Sequence, residues 1–145
     1  MKKFLIPGLG IVVVAALAYV TLRPQSGEDR SGASTPEEGA AIVSVSLPDE
    51  LSSNASLGKN AYDAVCADCH GENAAGKEGF GPPLVHKIYE PSHHGDMAFQ
   101  VAAAQGVRAH HWKFGSMPPQ PDVTPGDVKA IIAYVRELQR ANGIE

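Results

Sequence analysis

The chain has 145 residues, of which 43% are hydrophobic and 19% charged, with a formal net charge of −4. This length, without an internal repeat, favours one globular domain with appendages, and the acidic balance argues against non-specific nucleic-acid binding, which draws on a clustered basic surface. An aromatic share of 6% is thin for a small core made from protein side chains alone, so a staple or cofactor is expected.

Met1-Lys2-Lys3 precedes an apolar run of nineteen residues, Phe4 to Leu22, closed by Arg23-Pro24. That length approaches the roughly 20 residues that span a bilayer as a helix, with the lysines on the cytoplasmic side. Ala16-Leu17-Ala18 is also a small-x-small site that a signal peptidase cuts. Residues 1–23 therefore read as a transmembrane anchor or a signal peptide, and both readings place the remainder outside the cytoplasm. Residues 24–50 are rich in Ser, Gly, Pro, Glu and Asp, too polar to order themselves, and read as a flexible linker. Ile42, Val43, Val45 and Leu47 interrupt it and suggest a short extended segment against the domain. A coil of about 25 residues spans on the order of 25–30 Å root-mean-square.

Residues 51–145 read as the folded domain. A first helix is expected from Ser56 to Ala67, an irregular glycine-containing loop from Gly71 to Pro83, and a short helix near Leu84 to Tyr89 that stops before Pro91. A third helix fits Asp96 to Gln105, with Asp96 as N-cap and Gly106 past its end. The segment from Val107 to Asp122 is loop-like. The last helix has Thr124 as cap, Pro125 at its first position and Asp127 completing a capping-box pattern. Its Val128, Ile131, Ile132, Val135 and Leu138 recur on one face, and Gly143 marks its end. No run alternates as a half-buried strand does, so the domain is expected to be all-α.

Cys66-Ala67-Asp68-Cys69-His70 is a C-x-x-C-H sequence, the attachment signature of haem c. Two thiols at this spacing add to the two vinyl groups of one haem, and the next residue lies where its imidazole reaches the iron. A thioredoxin-like thiol pair wants a βαβ context that helices and loops do not supply, and a zinc site wants further ligands at suitable spacing. Downstream, Phe114-Gly115-Ser116-Met117-Pro118-Pro119 offers a methionine in a proline-stiffened loop. His and Met together are the ligand pair that raises the potential of electron-carrying haems, so Met117 is the expected sixth ligand. Met97, near the start of the third helix, reads as a packing residue, and His86 as a surface residue beside Lys87.

Two histidine pairs, His93-His94 and His110-His111, flank the third helix and leave four readings open. They are exposed or hydrogen-bonded imidazoles; or His110, His111 or Trp112 donates to a haem propionate; or the pairs bind copper or zinc, which imidazole suits; or one of them replaces Met117 on the iron. Adjacent histidines rarely point the same way, which weighs against the metal reading.

From Leu57 to Ile144 the chain resembles a class I c-type cytochrome. Gly58 and Tyr62 ahead of the attachment site match that family's glycine and aromatic on the first helix, and Tyr134 matches the aromatic of the last helix. Gly81-Pro82-Pro83-Leu84 resembles its loop after the attachment site, and Gly106 and Met117-Pro118 fit its pattern around the distal ligand. The resemblance implies an all-α helical domain wrapped around one covalent haem c. In it Gly58 lets two helices approach, and the Pro82 carbonyl accepts a hydrogen bond from His70. It further implies single-electron transfer between redox protein partners, an oxidase, reductase or dehydrogenase, and no enzyme activity of its own, whether as a separate carrier or as a subunit of an oxidoreductase complex. The expected location is the periplasmic side of a bacterial inner membrane, anchored by residues 4–22, or the soluble periplasm after cleavage. A haem sensor, a peroxidase-like protein with an openable sixth position, or a metal-handling redox protein using the histidine pairs are the competing readings.

Overall fold

The computed structural model describes residues 36–145. In chain order the helices are α1 (Ser53–Val65), α2 (Ala67–His70), α3 (Asp96–Gln105) and α4 (Pro125–Ala141), with 3-10 turns at Glu72–Ala74 and Lys87–Tyr89. Among the described residues extended pairing is limited to two isolated bridges, Lys77 with Gly81 and Val107 with Met117, so the domain is all-α. The apolar run 4–22 and the start of the linker lie outside the described residues. Among those described, no helix is long and apolar enough to cross a membrane.

The helix α4 organises the rest. Thr124 Oγ1 accepts from the Asp127 backbone N–H while the Asp127 carboxylate accepts from the Thr124 N–H at 3.0 Å and from its hydroxyl at 2.6 Å, so the capping box forms as its residues suggest. The stripe Val128, Ile131, Ile132, Val135 and Leu138 is buried. Against it lies α1, and at the crossing a Cβ on Gly58 would overlap the Ala130 carbonyl, so only a glycine fits that close approach. The ring of Tyr62 on α1 meets Tyr134 on α4 at a centroid distance of 5.5 Å. With Ile131, Val135, Leu138, Leu84 and Val85 they form the core.

The first helix starts at Ser53 instead of Ser56. Ser52 caps it by accepting from Ala55 N at 3.2 Å, and Ser52 is itself held to α4 through its N–H and hydroxyl, which both donate to Glu137. The third helix has the bounds expected, yet its N-cap is Gly95. Asp96 sits inside the helix because its carboxylate accepts from Arg136 Nε at 2.9 Å, a tertiary contact that replaces capping. Met97 does not pack in the core; it is 71% exposed, since Phe99 is the α3 side chain that reaches the core cluster. The expected helix over Leu84–Tyr89 is reduced to the turn Lys87–Tyr89. His86 is half-buried there, its Nδ1 accepting from Ile88 N and its ring standing against Trp112 at 5.1 Å.

This irregular stretch is held by two polar side chains on the buried face of α4. Arg136 donates to the carbonyls of Tyr89 and His94 at 2.7 and 2.6 Å, and to Gln139 Oε1. Gln139 Nε2 donates to the carbonyls of Leu84 and Tyr89. Buried carbonyls without helical partners are thereby satisfied, which is the condition for packing an irregular segment on a core. At the other end of the domain, Gly39 N donates to Glu78 O, and Ile42 N and Val43 N both donate to Ala75 O. Ile42 and Val43 thus lie along the 72–81 loop, whereas Leu47 is exposed.

Candidate cofactor site

Cys66 closes α1 and precedes the single turn α2, which ends in His70. Backbone N–H groups of Cys69 and His70 both donate to Cys66 O, at 3.2 and 2.9 Å, so the C-x-x-C-H residues are wound into one tight turn. Both thiols are free. Burial, with the Cys69 thiol close by, pushes Cys66 up to about 11, and it stays a neutral thiol.

The His70 Nδ1 lies 2.9 Å from the Pro82 carbonyl oxygen. A carbonyl only accepts, so Nδ1 carries the proton and the lone pair is left on Nε2. Burial lowers the His70 basicity, against the opposing effect of the Pro82 bond; the ring is neutral. The loop that brings Pro82 here is drawn in by Leu84 N and Val85 N, which donate to Ala74 O. Behind the turn, the buried Tyr62 hydroxyl donates to Gly71 O at 2.9 Å, and the Tyr134 hydroxyl donates to Asn73 Oδ1 at 3.1 Å. Burial raises both phenols above their ordinary value, Tyr134 to about 12. The aromatic pair therefore grips the far side of the attachment turn as neutral donors. Asn73, at φ 53°, was not singled out from sequence; an Asn between two glycine-containing turns is the left-handed position that signals it.

Met117 sits apart, in the loop after α3. Its backbone exchanges two 2.9 Å hydrogen bonds with Val107, and a Cβ on Gly106, which has φ +76°, would come within 2.5 Å of its carbonyl oxygen. Gln120 N donates to Ala103 O at 2.7 Å, so the Met117-Pro118-Pro119 segment is tied at one end to Val107, just past α3, and at the other to α3 itself. The methionine is half-buried.

Three features fit a haem. The indole Nε1 of Trp112 is buried without a hydrogen-bond partner; the Tyr89 phenol is near enough to feel it but outside hydrogen-bond geometry. A buried unpaired N–H is costly, and a carboxylate of a bound group satisfies it. Helix α3 carries Met97, Phe99, Val101 and three alanines in its last turns, yet none of its residues is buried, so an apolar surface is left for a large apolar partner. The donor set is two thiols, an imidazole with a free Nε2 and a thioether.

The histidine pairs are brought together rather than dispersed. His93 and His94 lie beside His110 and His111, with ring centroids 5.4 Å apart for His94 and His111 and 4.2 Å for His110 and His111. Desolvation and then the neighbouring imidazoles His110, His94 and His93 lower the basicity of His111.

No curated protein matches the chain. Residues 55–139 match the family model for cytochrome c, which spans more than half of the sequence and both helices of the core crossing. The chain belongs to the cytochrome c family, whose members hold a covalently bound haem c and serve as electron carriers between redox partner proteins.

Proposed function

We propose that this protein carries single electrons outside the cytoplasm on one haem c bound through Cys66 and Cys69, with His70 and Met117 as axial ligands. The observation that carries the reading is the His70–Pro82 hydrogen bond: on a C-x-x-C-H turn it aims a neutral imidazole with its lone pair on Nε2. Bound haem c supplies an Fe(III)/Fe(II) couple there.

The chain's own residues do the rest. Cys66 and Cys69 would hold the haem through thioether bonds, formed by addition of each thiol to a vinyl group with no net oxidation. Pro82 holds the His70 ring in one tautomer and one orientation, as carbonyl partners of ligating histidines do. The Val107 pairing and Gly106 hold the Met117 backbone, and its thioether is a soft, neutral donor that favours the reduced state. With His70 and Met117 both holding the iron, no coordination site would be left for a substrate, and the arrangement suits electron transfer. Docking to partners is brief, through a small interface. Residues 4–22 serve as the membrane anchor, and the linker that begins at Pro24 raises the local concentration of the domain near membrane partners.

The test is haem attachment and redox behaviour together. The purified protein holds one haem that resists extraction by acidified ketone and titrates in a single one-electron step. The Cys66→Ala/Cys69→Ala double variant releases any haem it binds. Haem still covalently held in that variant would refute the assignment.

A further inference from the structure

The four histidines beside α3 are chemistry-bearing side chains that the electron-carrier reading does not use. Among the described residues, one nitrogen from each of His93, His94 and His111 lies within 4.8 Å of the other two. A four-coordinate ion with metal–nitrogen bonds of about 2.0–2.1 Å holds its nitrogens roughly 3.3 Å apart, so rotations of the exposed His93 and His111 rings close the gap. His110 lies beside His111 and His94, with its ring centroid 4.2 Å and 6.2 Å from theirs, and stands next in line as a fourth ligand.

The rings are also prepared in the way that ligating histidines are. The His94 Nδ1 donates to Ile88 O at 2.6 Å and the His110 Nδ1 to Arg108 O at 2.8 Å; in each case the acceptor is a carbonyl, so the free lone pair is on Nε2. The backbone beneath is braced on both sides. His94 O accepts from the buried Arg136 guanidinium at 2.6 Å. Across from it, the loop bearing His110 and His111 is closed by the Val107–Met117 bridge and by Ala109 N donating to Ser116 Oγ. Adjacent histidines on an extended strand point apart; here His93 and His94 follow a turn whose N–H groups both bond to Glu90 O, which turns the two rings to the same side, 4.7 Å apart.

We propose that His93, His94 and His111 form a binding site for one divalent transition-metal ion, separate from the haem ligands. The nearest carboxylate in sequence, Asp96, is taken by Arg136, so the ligand set is all imidazole. Neutral nitrogen donors without carboxylates suit copper and zinc and not magnesium or calcium, and the ordinary affinity order puts Cu(II) ahead of Zn(II). A bound ion joins the turn before α3 to the loop that carries Met117.

The experiment uses the full-length holoprotein purified without a polyhistidine tag and titrated with Cu(II), then Zn(II), against a chromogenic chelator. One Cu(II) per chain is expected, displaced by excess of the chelator and competed by Zn(II), with a rise in the unfolding temperature at one equivalent. His93→Gln and His111→Gln, both at exposed positions, each weaken Cu(II) binding at least about tenfold, as loss of even an outer-shell partner does, and reduce the nitrogen couplings in the electron paramagnetic resonance spectrum of bound Cu(II). His86→Gln leaves the affinity unchanged. No stoichiometric binding by the wild-type protein, or unchanged affinity in both exposed-histidine variants, overturns the site. A variant that loses copper and also changes the ferric haem spectrum marks that histidine as an iron ligand, which overturns it as well.

Discussion

The Nδ1 of His70 stands 2.9 Å from the Pro82 carbonyl oxygen, twelve positions further along the chain. Donation to that carbonyl makes the opposite nitrogen more basic, and a more basic imidazole stabilises the ferric over the ferrous state. Pro82→Ala removes the ring that stiffens the loop and loosens this bond. The reduction potential of the variant is expected to rise, each tenfold change in ferric preference being worth about 59 mV for one electron. A potentiometric titration measures it, and a fall in potential would count against the orienting role of Pro82.

A second prediction concerns the crossing of α1 and α4. A methyl group at position 58 has no space, because it would overlap the Ala130 carbonyl, which belongs to backbone and cannot turn aside. Gly58→Ala forces the helices apart despite its better helix propensity, at a cost of at least about 1–3 kcal/mol. Denaturant unfolding checks it; an unchanged midpoint would mean that the crossing yields without strain.

The helix cap of α4 makes the stability depend on acidity. Thr124 hydrogen bonds hold the Asp127 carboxyl below its ordinary value of 3.8. A depressed folded-state value means that the folded protein binds fewer protons, so this contribution is complete above about pH 5 and is lost as the pH falls through the folded-state value. Stability of the wild type is expected to drop more steeply than that of Asp127→Asn over that acid range. Parallel slopes in acid unfolding curves of the two proteins would contradict the capping account.

What could be read from residue order was local. The Thr124–Asp127 cap lies within four residues, the end of α3 follows from Gly106, and the C-x-x-C-H turn is its own signal. Gly58, Tyr62, Tyr134 and Pro82 were legible through a family resemblance whose spacing they carry. The roles of Arg136 and Gln139 were not: both are buried on α4, four positions after Ile132 and Val135 of the apolar stripe, but their partners are carbonyls some 40 to 55 positions away. That network explains why Leu84–Tyr89 forms no more than a 3-10 turn, since the carbonyls at its two ends, Leu84 and Tyr89, bond to α4 side chains. The meeting of His93-His94 with His110-His111 was hidden for the same reason. It depends on how α3 is held between two braced segments, and no spacing within either pair records it.

The ferric absorption spectrum in the red tests the central claim most directly. The account predicts a weak sulfur-to-iron charge-transfer band in the wild-type protein that vanishes in Met117→Ala, alongside a low-spin haem. A low-spin spectrum without that band in the wild type would put a nitrogen ligand on the iron in place of Met117, and a high-spin spectrum would mean an open sixth position; either would contradict His70/Met117 ligation.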